Sequence, residues 1–372
     1  YRIEIRFIKE KRMKRLIVLL CLGVMILPLM AEEIKLTGEM WNRWTLETGD
    51  APAGENTILR NNLSLERGYL GLEPKFSDAV KGRFTVDIFS TDLVKDGAGL
   101  KIKYAYLDFN KLLPVPDMTA TIGLQKVYFG SIYDWDYTLI GKAPTDEYKF
   151  ANSADYGITI NGFIPGGWGE YALGLYNGEG YKNYGANLKN NIQPAFLANL
   201  RLIPVAGLTL GGSFMLNSSE RSDSLTGLGG DNPKYNEQKM MDAYLRAAYG
   251  PLSLTGEYII KDVTYPNKPA NDMSANCASV NAVIKLNSLV EKDIDLVARY
   301  DRSDPTDSDK DENIVTAITG GVNYNFMHDD SAKPAMQLQL NYTTKSNSVK
   351  TTNDSSALML QLKWRFSNTL KV

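Results

Sequence analysis

From Ile34 to Phe366 one pattern recurs: about ten residues alternate apolar and polar side chains, and then Gly, Pro, Asn or Asp breaks the run. A period of two sends successive side chains to opposite faces of an extended strand, a pattern no helix can use. Sixteen such runs follow one another. In the first, Ile34, Leu36, Met40, Trp44 and Leu46 oppose Lys35, Thr37, Glu39, Arg43, Thr45 and Glu47. Later, Leu252, Leu254, Tyr258 and Ile260 oppose Ser253, Thr255, Glu257 and Lys261, and Ile294, Leu296, Ala298 and Tyr300 oppose Asp295, Arg299 and Asp301. The final run sets Leu358, Leu360, Leu362, Trp364 and Phe366 against Gln361, Lys363 and Arg365. Two runs slip phase, near Arg67 and near Tyr104, where bulges are expected.

Charge separates a membrane barrel from a soluble sandwich. The polar faces carry full charges strand after strand, while the apolar faces stay neutral and often end in aromatics: Trp44, Tyr249, Tyr300, Tyr324, Phe326, Tyr342, Trp364 and Phe366. A Lys or Arg on a lipid face costs about 2–4 kcal/mol at the midplane, and aromatic rings settle at the lipid–water boundary. The connections alternate as well. Short ones run 164–168, 203–207 and 249–251; longer polar ones run 48–57, 129–153, 177–192, 217–239, 263–275, 302–312 and 345–355. These features predict an all-β fold: a transmembrane antiparallel up-and-down β-barrel of about 16 strands, spanning 32–372. Closure satisfies every backbone group that lipid would leave unpaired, and sixteen strands are enough to leave an aqueous lumen.

The N-terminus reads as export machinery. Met13-Lys14-Arg15 is a basic start, Leu16 to Leu29 is apolar, and Leu29-Met30-Ala31 ends in a small residue, which predicts a signal peptide at 13–31 cleaved after Ala31. Residues 1–12 read as an upstream leader, with Met13 the initiator; the nucleotide sequence tests that expectation. Residues 1–31 hold seven of the 41 basic and two of the 43 acidic residues, which leaves the remainder near −7. That balance argues against a nucleic-acid partner. Cys277 is the one cysteine beyond the signal, so no intramolecular disulfide is expected. Tyr is abundant at 21 and His occurs once, as His328, which does not suit acid–base or metal chemistry. No cofactor motif is present. Asp304 to Glu312 repeats Asp like a cation loop, but Glu312 falls where an EF-hand needs Gly, so no metal site is expected.

The segment Ser64 to Asp78 resembles the early hairpin of the phosphate-selective porin O/P family, as does Lys103-Tyr104-Ala105-Tyr106-Leu107-Asp108-Phe109 followed by Ile122 to Gly130. The resemblance covers about the first third of the exported chain. It implies a sixteen-stranded general porin type, a homotrimer, a third loop folded into the lumen, and passage of small hydrophilic solutes and ions, anions such as phosphate among them. The loop at 129–153 is the candidate constriction.

Diffusion through a lumen needs no catalyst, only a narrow charged zone against a low-dielectric wall. The candidate loop supplies Asp134, Asp136, Asp146 and Glu147 against Lys142 and Lys149. Parity places Arg43, Lys81, Arg83, Lys126, Arg246, Lys285, Arg299, Lys363 and Arg365 on the inner wall. Loop acids facing wall bases would set a transverse field. The expected surroundings are outer-membrane lipid and lipopolysaccharide. Two other readings compete: a surface adhesin or receptor barrel, and an outer-membrane hydrolase using His328 beside a serine.

Overall fold

The computed structural model describes residues 31–50, 56–90, 97–112, 115–182, 194–221, 235–265, 269–287, 289–307, 313–329, 333–348 and 354–372. The leader, the signal peptide up to Met30 and residues 308–312 of the acidic segment lie outside the described residues.

Period-two alternation becomes sixteen strands: β1 (Glu33–Asp50), β2 (Asn56–Lys75), β3 (Val80–Ser90), β4 (Ala98–Phe109), β5 (Met118–Lys126), β6 (Ala154–Ile164), β7 (Gly169–Tyr176), β8 (Ala195–Val205), β9 (Leu208–Arg221), β10 (Tyr235–Tyr249), β11 (Leu252–Thr264), β12 (Met273–Lys285), β13 (Ile294–Asp304), β14 (Val315–His328), β15 (Pro334–Asn347) and β16 (Ser355–Lys371). Each strand pairs with its neighbours in chain order, and β1 pairs antiparallel with β16, so the sheet closes on itself. One short helix, α1 (Pro144–Glu147), lies between β5 and β6.

Closure uses more of the C-terminus than the apolar run alone marks. Ser367 to Lys371 continue β16 beyond Phe366 and pair with Thr37 to Glu33 of β1. The two phase slips are bulges. The β1–β2 register skips Glu66, between Arg67 and Leu65, and the β3–β4 register skips Lys103, between Tyr104 and Ile102. A bulge turns two consecutive side chains toward one face. Glu66 thus reaches Arg43 at 3.3 Å while its neighbour Arg67 donates to Tyr137 Oη at 2.9 Å, both inside.

The outer face is greasy all round. Consecutive strands from β5 to β16 each present an exposed apolar side chain outward: Ile122, Ile158, Leu173, Leu200, Leu210, Leu245, Leu254, Val280, Leu296, Ile318, Leu340 and Leu360. A soluble monomer rarely exposes contiguous apolar patches beyond a few hundred Å².

The packed core is inside. On β7 to β12 the inward positions turn apolar at one level: Tyr176, Ala195, Leu197, Met215, Met240, Ile259, Ala275 and Cys277 cluster with Val127, Phe129 and Phe150 of the β5–β6 connection. Wall side chains of a barrel this wide cannot meet across it, so the loop provides the opposing surface. Each buried Phe contributes about 1.5–3 kcal/mol to holding that loop in place.

Candidate functional site

The connection from Val127 to Ser153 lies across the barrel interior, and its anchors can be followed strand by strand. Gly130 N donates to Ser213 Oγ on β9 at 2.9 Å, and its carbonyl accepts from Arg201 on β8 at 2.7 Å. Ser131 N donates to Glu257 Oε1 on β11 at 3.0 Å, and Ser131 Oγ donates to the same carboxylate. Tyr133 Oη donates to Glu170 on β7 at 2.6 Å. Farther along, Gln339 on β15 donates to the Tyr137 carbonyl at 3.0 Å, and Ile140 N donates to Asn341 Oδ1 at 3.2 Å. Arg299 on β13 donates to the Lys142 carbonyl at 2.6 Å, and Tyr148 Oη donates to Asp301 at 3.1 Å. Burial raises the Tyr128, Tyr133 and Tyr148 phenols above their ordinary range, so all three stay neutral.

Gly130 is the tightest point of the seat. Its φ is +55°, and an added Cβ would run into Glu257 Oε1 and lie 3.1 Å from Thr145 Cγ2. Only a residue without Cβ takes this backbone shape so close to the wall.

The wall and loop residues expected from the sequence divide into three groups. Some come together at the loop. Asp134 pairs with Arg246 at 3.4 Å, Lys363 donates to the Asp136 carbonyl at 3.3 Å, and Glu147 pairs with Lys345 at 3.5 Å. Arg299 is buried against Asp301 at 2.8 Å and acts as a strut under the loop. Lys126 ends β5 opposite Ala154, immediately before the loop starts at Val127. Others hold the wall: Arg43 bonds Gln361 and Glu66, and Arg83 meets Glu73 at 3.7 Å. A third group sits toward the short-turn end. Lys81 pairs across the sheet beside Lys75, Lys285 opposes Asp295, and Arg365 pairs with Asp329 at 3.0 Å. Lys142 and Lys149 are exposed; Lys142 and Asp146 line a cavity of about 510 Å³ that Lys149, Lys182 and Lys261 share. His328 meets Asp293 at 2.8 Å at the end of β14.

The chain closes into a sixteen-stranded barrel with an apolar outer belt and an internal loop. The fold is that of the outer-membrane porins. An outer membrane protein of Vibrio cholerae, OmpT lacking loop L8, is similar over 90% of this chain and 100% of its own, at 12% identity and a TM-score of 0.60. The anion-selective porin from Comamonas acidovorans is similar over 90% and 100%, at 13% identity and 0.60. The outer membrane channel DcaP of Acinetobacter baumannii is similar over 90% and 97%, at 13% identity and 0.60. No protein-family model matches the sequence, and no curated protein matches it.

Within this porin fold the structure adds residues that parity reading passed over. Arg201 is almost fully buried and holds Asp134 at 2.6 Å while its guanidinium lies over the Tyr133 and Tyr244 rings at 4.2 and 4.4 Å. Alternation does not mark it, because its inward neighbours on β8, Ala195 and Leu197, are apolar. Asp134 is therefore not an isolated acid facing distant bases: it is clamped between Arg201 and Arg246. The field expected from separated loop acids and wall bases is replaced, at this residue, by contact pairs.

Proposed function

We propose that the chain is an outer-membrane porin that passes small hydrophilic solutes and ions by diffusion, its β5–β6 loop forming the constriction. One observation carries the reading: a loop inside a closed barrel is pinned along β7 to β11 and β13 to β15, while β3 and β4 turn Arg83, Tyr104 and Tyr106 toward the interior at intermediate exposure. A loop held that way narrows a lumen without forming a plug domain. The apolar belt supports a place in outer-membrane lipid, with lipopolysaccharide around the loops. The porin and the channel among the similar structures support the function, and the trimer form of Vibrio cholerae OmpT supports a homotrimer.

In planar bilayers the purified protein will give discrete single-channel steps. A folded barrel without steps would instead favour a surface receptor. The early-hairpin resemblance supports anions, phosphate included, among the solutes. Reversal potential in a salt gradient checks the charge lining: replacing Lys126 and Lys142 with Glu will move it toward cation preference, because both amines contribute positive potential at the loop. An unchanged potential would remove these two residues from the narrow zone.

A further inference from the structure

Tyrosine gathers where the loop meets the wall. Tyr69 on β2 and Tyr104 and Tyr106 on β4 share the inner face with Asp87, Thr85 and Arg83 by register. The loop brings Tyr128, Tyr133 and Tyr137 to them. Tyr128 and Tyr133 ring centroids are 4.9 Å apart, and Tyr104 and Tyr106 are 6.2 Å apart, edge to face. Arg67 lies over both the Tyr69 ring of the wall and the Tyr137 ring of the loop, at 4.6 and 4.3 Å, and joins the two.

Several cations stand among these rings. Arg83 lies 4.5 Å from the Tyr104 centroid and pairs with Glu73. Arg201, over Tyr133, is held by Asp134. Arg67 is enclosed by Trp41, Tyr69 and Tyr137 at 3.7, 4.6 and 4.3 Å. Lys103 Nζ lies 5.6 Å from the Tyr104 centroid and donates to Ser153 Oγ. The Tyr104 and Tyr128 hydroxyls bond to no described residue, and both residues are partly exposed to the interior.

We infer that this tyrosine-lined zone is a binding subsite for cyclic polyhydroxylated solutes of the saccharide class. A sugar ring presents a face of C–H groups that lies against an aromatic ring, and an edge of hydroxyls that bonds phenols, carboxylates and guanidinium. Tyrosine provides both parts on a stiff side chain with little entropy to lose.

The inference rests on the channel reading, and the test separates the two. Maltotriose added to the full-length protein in a planar bilayer will interrupt the ion current in a saturable, concentration-dependent way. A polyethylene glycol of similar size will lower the current without saturation. Joint replacement of Tyr104 and Tyr128 by Ala will weaken the maltotriose effect about tenfold. Replacement of both by Phe, which keeps the rings, will weaken it less. Steps without saturable block, or block that the Ala variant leaves unchanged, would overturn the subsite and leave the channel. If no steps occur, the channel reading falls, and calorimetric titration of the detergent-solubilised protein with maltotriose then decides the subsite: no binding overturns it.

Discussion

Replacing Gly130 with valine will raise single-channel conductance while leaving the β circular dichroism unchanged. Position 130 has a φ of +55°, where a β-branched residue costs about 1–3 kcal/mol in backbone strain alone. The new side chain would also enter the space held by Glu257 Oε1, Thr145 Cγ2 and Asp242 Oδ2. The loop would have to lift, and lifting breaks the bonds from Gly130 N to Ser213, from Ser131 N to Glu257 and from Arg201 to the Gly130 carbonyl. Each contributes about 0.5–1.5 kcal/mol, so the seat at this corner is lost as a unit. The barrel ladders do not pass through Gly130, so the wall remains. Limited proteolysis gives an independent readout, since a released loop becomes a substrate. Wild-type conductance together with a protease-sensitive loop would show that the loop does not set the bore.

Two adjacent residues of β16 test the orientation of the whole sheet. Leu360 faces outward between Trp44 of β1 and Leu340 of β15, and Met359 faces inward, lining a cavity of about 250 Å³ with Thr319 and Thr343. Leu360→Arg will destabilise the folded barrel in lipid by about 2–4 kcal/mol, because a cation is driven into hydrocarbon. Met359→Arg will cost far less, because its guanidinium enters an interior cavity whose lining includes the carboxylates of Glu66, Glu147 and Asp301. Urea titration of both variants in lipid vesicles measures the difference. Equal costs would mean that the apolar face of β16 does not contact lipid.

The sequence made the strands readable for a local reason. A side chain's face follows from odd or even position, and lipid imposes a penalty on charge at the outer positions, so Leu296 and Arg299 sort themselves without reference to distant residues. The bulges were readable within a residue, since a skipped partner reverses the phase of everything beyond it. Arg201 was not readable. Its role depends on Asp134, 67 positions earlier, and nothing on β8 marks the partner. The inward apolar cluster did leave a trace: Met215, Met240, Ile259 and Cys277 occupy positions that parity assigns to the wet face. Apolar residues on the lumen side mark where something else must cover them.

The amino-acid order by itself determined a barrel of sixteen strands, which faces meet lipid, and which connections are long, because each of these follows from near-neighbour periodicity. Only the tertiary structure decided the path of the β5–β6 loop. Its anchors join residues such as Ser131 and Glu257, 126 positions apart, and they meet because closing the sheet brings β11 opposite the end of β5. That juxtaposition is a property of the closed ring and has no counterpart in any short stretch of chain.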